Sequence, residues 1–346
     1  MKADRIHKTA VIGAGSWGTA LAKLLADKGE QVVLWGHRPE HIEQLARERE
    51  NSRYLPGFAL PSSLGLETDL VRAVTDADCV VMAVPSHGYR QVFRNLLSGL
   101  SSGAFLVSTV KGIEIGTRMT MTQLMEEEAG SRKKEFSFGV LSGPSFAKEV
   151  ADHQPTAVTV AFADIEDARR VQHLFATDYF RAYTSTDVIG LEIAGAMKNV
   201  IAIAAGICDG LGFGLNARAA LITRGLAEIT RMGVAMGAQP LTFSGLGGMG
   251  DLVLTCTGSL SRNRTVGLKL GQGKKLQDAL AEMTMVAEGV KTTKSCYNLA
   301  ARLGVDMPIL TQTYQLLYED KDCMQAVREL FSRDLKSELD ETLDRT

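Results

Sequence analysis

No C-x-x-C pair occurs in this chain, and its five cysteines, Cys79, Cys208, Cys256, Cys296 and Cys323, are scattered and odd in number. That argues against a disulfide framework and a structural zinc site, and suits a reducing, cytoplasmic setting. No metal site is expected. Net charge is nearly absent too, at -2. A broad surface for nucleic acid or for an acidic membrane is therefore not expected, although a local basic patch for a small anion remains open. Long uninterrupted apolar runs are missing. The most membrane-like stretch, residues 189–215, is broken by Glu192, Lys198, Asn199 and Asp209, so it reads as a buried helix and not as a membrane insertion. The opening MKADRIHKTAVIGAG has no apolar stretch ending in a small-residue cleavage site, so no secretory signal is expected. Low-complexity linkers and internal repeats are lacking as well.

What is present is an ordinary globular composition, 45% hydrophobic and 23% charged, in 346 residues, which suggests two domains. In the first half, short apolar runs at residues 9–12, 31–35, 79–84, 105–109 and 139–141 read as strands of a buried parallel sheet. Amphipathic segments at 19–28, 40–49, 89–97 and 119–128 read as the helices between them. A further strand pair is expected at 156–162 and 180–184 around a helix at 165–175. Alternating strand and helix implies right-handed βαβ crossovers and a doubly wound, Rossmann-type α/β sheet. After residue 187 the pattern is helical throughout: 188–207, 217–236, 240–256, 262–270, 275–283, 289–302, 307–318 and 324–331. Asn216, Pro240 and Pro308 look like helix starts. The expected division is a dinucleotide-binding domain over 1–187 and an all-helical substrate domain over 188–346, with a polar tail after Arg333 that frays.

Gly13-Ala14-Gly15-Ser16-Trp17-Gly18 is a G-x-G-x-x-G directly after a strand and opening a helix. Gly13 permits the tight turn, Gly15 lets a pyrophosphate approach the backbone, and Gly18 packs helix on strand. The second strand ends in Gly36-His37-Arg38, where an NAD-selective site commonly carries Asp or Glu. His37 and Arg38 can face a 2′-phosphate instead, so NAD(P)H is the expected cofactor, with NADP favoured or tolerated. Against this, Arg38 reads equally as a solvated surface charge. His87, after Val84-Pro85-Ser86, is an acid/base candidate or a positioning group at the carboxyl edge of the sheet.

Carbonyl reduction needs a group that stabilises charge on oxygen and delivers a proton. Lys198 interrupts an otherwise apolar helix, LEIAGAMKNVIAIAAGI. A buried ammonium there must be paired or functional, unless it snorkels to the helix edge. Lys111, after the fourth strand, is placed to meet substrate and to depress the pKa of Lys198; a surface lysine is the alternative. Gly143-Pro144-Ser145 forms a tight turn that offers hydrogen bonds to substrate or nicotinamide, or a simple helix cap. Asp251, in GGMGDL, can pair with Lys198, accept from a substrate hydroxyl, or cap a helix. Ser261-Arg262-Asn263-Arg264 opens a helix as an anion site with three or four phosphate-competent donors.

Together, GAGSWGTALA, VPSH, KGIE, SGPSFAKE, GAMKNVIAI, GLGGMGDLVLTC and SRNR closely resemble the bacterial NAD(P)-dependent glycerol-3-phosphate dehydrogenases. The resemblance runs in order over residues 9–330. It implies Lys198 as proton donor and acceptor, with Lys111 and Asp251 beside it. It further implies Lys111, Gly143, Ser145, Lys198, Asn199, Asp251, Thr255, Ser261, Arg262 and Asn263 as contacts to a small phosphorylated substrate. Cofactor contacts would be Ser16, Trp17, His37, Lys111, Ala147, Arg262, Val286 and Glu288, beside Gly13, Gly15, Gly18 and Arg38. Val286 and Glu288 come from the resemblance alone. Members are soluble, often homodimers, and supply glycerol 3-phosphate for phospholipid synthesis. Gly247 departs from the Ala or Ser of many relatives. The alternatives are a β-hydroxyacid or 6-phosphogluconate-type dehydrogenase, against which SRNR and GDLVLTC count, and a non-catalytic NADPH-binding sensor.

Overall fold

The short apolar runs pair side by side. The computed structural model describes residues 6–130, 135–283, 286–335 and 337–338. By its contacts the chain divides into two units, Met1–Val110 with Met119–Glu192, and Lys111–Arg118 with Ile193–Thr346.

The first unit begins with β1 (Lys8–Ile12), α1 (Ser16–Asp27), β2 (Gln31–Trp35) and α2 (Pro39–Glu48). The hairpin β3 (Glu50–Asn51) and β4 (Leu55–Ala59) follows, then β5 (Gly65–Glu67), α3 (Leu70–Val74), β6 (Cys79–Met82), α4 (Tyr89–Leu96) and β7 (Phe105–Ser108). It closes with α5 (Met121–Ala129), β8 (Ser137–Ser142), α6 (Ala147–Ala151), β9 (Thr156–Phe162), α7 (Ile165–Phe175) and β10 (Phe180–Ser185). Among the described residues, eight strands form one sheet in the order β10-β9-β8-β7-β6-β1-β2-β5. Strand side chains alternate between faces. Val11 of β1 joins a core with Leu21, Leu24 and Leu25 of α1, whereas Ala10 and Ile12 join another with Phe93 of α4 and Leu124 of α5. Helices thus cover both faces, which is why these strands read as unbroken apolar runs.

The sheet is not wholly parallel. β8 and β9 pair antiparallel, Val140 opposite Ala161, and β10 then runs parallel to β9. A parallel return needs a crossover of a dozen or more residues, usually through a full helix. Between Ser142 and Thr156 the chain offers only the five-residue α6, so it turns back instead of crossing. The expected strand pair β9 and β10 therefore joins the sheet with its direction reversed relative to β8. The hairpin β3–β4, the strand β5 and the helix α3 were not expected either, whereas α6 begins just after the turn read as a helix start.

The second unit is helical: α8 (Val188–Gly210, starting in the first unit), α9 (Leu215–Ala235), α10 (Asp251–Thr257), α11 (Arg262–Gly271) and α12 (Leu276–Ala281), then α13 (Glu288–Leu303), α14 (Pro308–Tyr318) and α15 (Cys323–Phe331). Among its described residues no strand occurs. Asn216 lies inside α9, whose N-cap is Gly214, so it is not a helix start. The helix expected over 240–256 is three pieces: a 3-10 segment Pro240–Ser244, a π turn Leu246–Gly250, and α10. Glycine is a poor helix former, and a Cβ on Gly248 would lie 2.2 Å from the Phe243 carbonyl oxygen, so the chain wraps too tightly for a regular helix. Residues 1–5, 336 and 339–346, including much of the tail expected to fray, lie outside the described residues, as does Met285 of the motif before Glu288.

α8 is long and apolar enough to cross a membrane, but most of it is buried within the protein. Its four polar interruptions each have partners. Glu192 accepts from the Thr122 backbone N–H at 2.9 Å and from the Thr122 hydroxyl. Asp209 is paired with Arg218 and Arg264. Lys198 and Asn199 belong to the cluster described next. Buried polar groups without such partners would cost several kcal/mol, so these contacts fix how α8 packs.

Candidate active site

The glycine turn between β1 and α1 is shaped by contacts that only glycine satisfies. Gly13 adopts φ 123°, and a Cβ there would sit 2.6 Å from the Ala83 carbonyl oxygen at the end of β6. A Cβ on Gly18 would lie 1.9 Å from the Gly13 carbonyl oxygen. Gly15 is different: nothing lies within 4 Å of its Cβ position, and its φ of -82° is open to any residue. Two glycines therefore serve packing and the third faces open space at the positive end of α1, the cradle a pyrophosphate needs. The Trp17 indole N–H, next along α1, is buried with no partner among the described residues. These residues fit a dinucleotide. Gly15→Ala is expected to keep the melting temperature while abolishing tight NADPH binding. Gly18→Ala should cost about 1–3 kcal/mol of stability as well. Thermal melts beside cofactor titration check the contrast.

The hairpin that sequence reading missed supports this turn. Asn51 Nδ2 donates to the Ala14 carbonyl at 3.1 Å and to Thr19 Oγ1 at 2.8 Å, and Ser16 Oγ donates to the Tyr54 carbonyl at 2.6 Å. The signal was the turn-rich Asn51-Ser52-Arg53-Tyr54-Leu55-Pro56-Gly57. His37 and Arg38 are exposed just after β2, Arg38 at the N-cap position of α2. His87 is exposed on a single 3-10 turn, Ser86–Gly88. Gly143, at φ 146°, packs against β9, and Ser145 Oγ donates to the Gly143 carbonyl at 2.9 Å. The N-cap of α6 is Phe146, with Ala147 beginning the helix, so Ser145 is not its cap.

In the second unit the charged residues converge. Lys198 Nζ donates to Asp251 Oδ1 at 2.5 Å and to Thr255 Oγ1 at 2.7 Å. Lys111 Nζ donates to the other carboxylate oxygen, Asp251 Oδ2, at 2.6 Å. The Asp251 side chain is 1% exposed, Lys198 8% and Lys111 18%. The π turn is what delivers Asp251: Gly250 N–H bonds back to Gly245, and α10 begins at the carboxylate. Thr255, one turn later, accepts from Lys198 and donates to the Asp251 carbonyl at 2.7 Å. Burial pushes the Lys198 ammonium down to about 7. Asp251 opposes that shift and the Lys111 cation adds to it. A lysine so tuned can give and take a proton near neutral pH.

A chain of amides ties this cluster to the α11 start. Asn199 Nδ2 donates to the Lys111 carbonyl at 3.2 Å, Asn263 Nδ2 to Asn199 Oδ1 at 2.8 Å, and Gly289 N–H to Asn263 Oδ1 at 2.9 Å. A Cβ on Gly289 would lie 2.7 Å from Asn263 Oδ1, so glycine is needed at that junction. Glu288, half-buried, begins α13 beside it. The anion turn is narrower than expected from Ser261-Arg262-Asn263-Arg264. Ser261 caps α11, Arg264 is committed to Asp209, and the Asn263 amide is engaged in the chain above. That leaves the Arg262 guanidinium, which donates at 3.0 Å to the carbonyl of exposed Val286, and the backbone N–H groups at the start of α11. Among the described residues no group of three or more His, Cys, Asp or Glu could hold a metal ion.

Two family models match the chain: the N-terminal region of NAD-dependent glycerol-3-phosphate dehydrogenase over residues 8–168 and its C-terminal region over 187–328. A glycerol-3-phosphate dehydrogenase (NAD(P)+) of Desulfotalea psychrophila is 60% identical over 95% of this chain and 98% of its own length. One from Citrifermentans bemidjiense is 57% identical over 96% and 99%. The crystal structure of glycerol-3-phosphate dehydrogenase from Coxiella burnetii superposes with a TM-score of 0.90 at 39% identity, covering 95% of this chain and 99% of that one. On fold, on the full extent of both matches and on these identities, the chain belongs to the NAD-dependent glycerol-3-phosphate dehydrogenase family.

Proposed function

We propose that this protein reversibly reduces dihydroxyacetone phosphate to sn-glycerol 3-phosphate with NAD(P)H, and that Lys198 exchanges the proton. The observation that carries the reading is the buried trio in which Lys198 and Lys111 share one carboxylate, Asp251. With both lysines protonated the trio is net positive, so it favours negative charge developing on a carbonyl oxygen. NAD(P)H supplies the hydride when bound, held by Gly13, Gly15, Ser16, Trp17 and Gly18, with His37, Arg38, Lys111, Ala147, Arg262, Val286 and Glu288 as further contacts.

Lys198 gives its proton to the substrate oxygen in reduction and takes it back in oxidation. Asp251 holds that ammonium in place and, by its charge, opposes the loss of its proton that burial favours. Thr255 fixes its direction. Arg262 and the start of α11 hold the substrate phosphate, Asn199 and Asn263 keep that helix end in register with Lys198, and Gly143 and Ser145 complete the substrate contacts. The reading extends to a cytoplasmic homodimer, expected by light scattering as a species of twice the chain mass.

Oxidation of NADPH and NADH at 340 nm, with a panel of carbonyl substrates, tests the reading. Dihydroxyacetone phosphate is expected to be turned over and β-ketoacids are not; the reverse order would favour the β-hydroxyacid alternative.

A further inference from the structure

We infer that Arg53, carried on the β3–β4 hairpin, joins Arg38 to form an anion site for a 2′-phosphate on the coenzyme ribose, and thereby sets preference for NADP(H). The inference rests on the dinucleotide reading of the glycine turn and deepens it.

The hairpin is built onto that turn. Besides the Asn51 and Ser16 bonds, the Gly13 N–H donates to the Trp35 carbonyl at 2.9 Å, which holds the turn against the end of β2. Arg53 follows from this anchoring: its Cζ lies 5.2 Å from the centre of the Tyr54 ring, a cation–π distance. Tyr54 in turn meets the His41 ring edge-on at 5.3 Å, and His41 Nε2 lies 3.4 Å from the Ala14 carbonyl oxygen. A continuous series of side chains therefore leads from the glycine turn to an exposed guanidinium.

The charges that act on the His41 ring are of one sign. Burial holds the His41 imidazole below its usual range, partly offset by its Ala14 bond, and the cations Arg53 and Arg38 push it further the same way. Among the described residues neither Arg38 nor Arg53 is ion-paired with a carboxylate. Two guanidiniums that both act on His41 also repel one another, and a dianion bound beside them relieves that repulsion. An Asp or Glu at the end of β2 commonly holds a bare ribose 2′-hydroxyl, and His37 and Arg38 stand there instead. A phosphate monoester on the ribose is the ligand chemistry that uses both guanidiniums.

The full-length chain with Arg53→Ser is titrated with 2′,5′-ADP and 5′-AMP, and with NADPH and NADH. The expected result is a fall of about tenfold to a hundredfold in the preference for the 2′-phosphorylated partner of each pair, the size of one charge-assisted hydrogen bond. The Arg38→Ser/Arg53→Ser variant should lose more. An unchanged preference, with both coenzymes still bound, would overturn the inference alone. Binding of neither coenzyme by the unmodified chain would overturn the dinucleotide reading and this inference with it.

Discussion

Lys198→Ala is expected to lower kcat for dihydroxyacetone phosphate reduction by about 10³- to 10⁴-fold, with cofactor affinity and melting temperature little changed. A positioned general acid typically contributes about 10²- to 10⁴-fold. Lys198 is also a cation beside the developing oxyanion, where loss of one stabilising group costs about 10²- to 10³-fold. The two roles overlap in one ammonium, so the estimates do not multiply. Folding should survive, because Asp251 keeps Lys111 as a counter-ion at 2.6 Å. Alanine leaves a cavity of lysine shape, so a small primary amine added to the assay should restore part of the rate. Near-normal turnover by a folded, cofactor-binding Lys198→Ala protein would remove Lys198 from the chemistry.

Asp251→Asn is expected to cost about 10²- to 10³-fold in kcat/KM and, unlike the lysine change, to lower stability by about 3–5 kcal/mol. The carboxylate serves two ammoniums from its two oxygens. An amide can accept from one lysine only by turning its own N–H donors on the other, which leaves a buried charge uncompensated. The sign of the pH effect follows from the same contacts. Asp251 raises the pKa of Lys198 against burial, which pushes it down to about 7. Without the anion that pKa falls further below about 7, so near neutral pH, where a good part of the unmodified lysine is still protonated, the variant's lysine has lost its proton and cannot act as acid. Reduction by the Asp251→Asn protein should therefore recover on acidification to pH values where the unmodified enzyme is already at its plateau. Thermal melts beside a pH series separate the two effects; a pH profile that coincides with the unmodified enzyme's would contradict the pairing role.

The parts of this protein that sequence reading reached are those where one interaction dominates. Strands covered on both faces are mostly apolar and β-branched, so β2 and β9 are read to the residue. An ammonium inside an apolar helix must have a partner, which is why Lys198 and Asp251 could be weighed as a pair 53 residues apart. The hairpin β3–β4 escaped because it is short, half-exposed and carries Pro56 and Gly57, with nothing of a buried strand's pattern. The antiparallel turn from β8 to β9 goes with a connecting helix, α6, of only five residues, not with either strand's composition. Amide-to-amide bonding from Asn199 to Asn263 and on to Gly289 joins residues far apart in the chain, and no local spacing encodes it. For the same reason Arg264 read as a phosphate donor, although its partner Asp209 lies on another helix.

If Lys198 carries the proton, the pH dependence of kcat/KM must mirror its ionisation in both directions. Dihydroxyacetone phosphate reduction needs the ammonium, so its rate is expected to be level below about pH 7 and to fall tenfold per pH unit above. Glycerol 3-phosphate oxidation needs the free amine, so it should climb tenfold per unit up to the same pH and then level off. Parallel profiles in the two directions, or reduction that holds steady into alkaline solution, would contradict it.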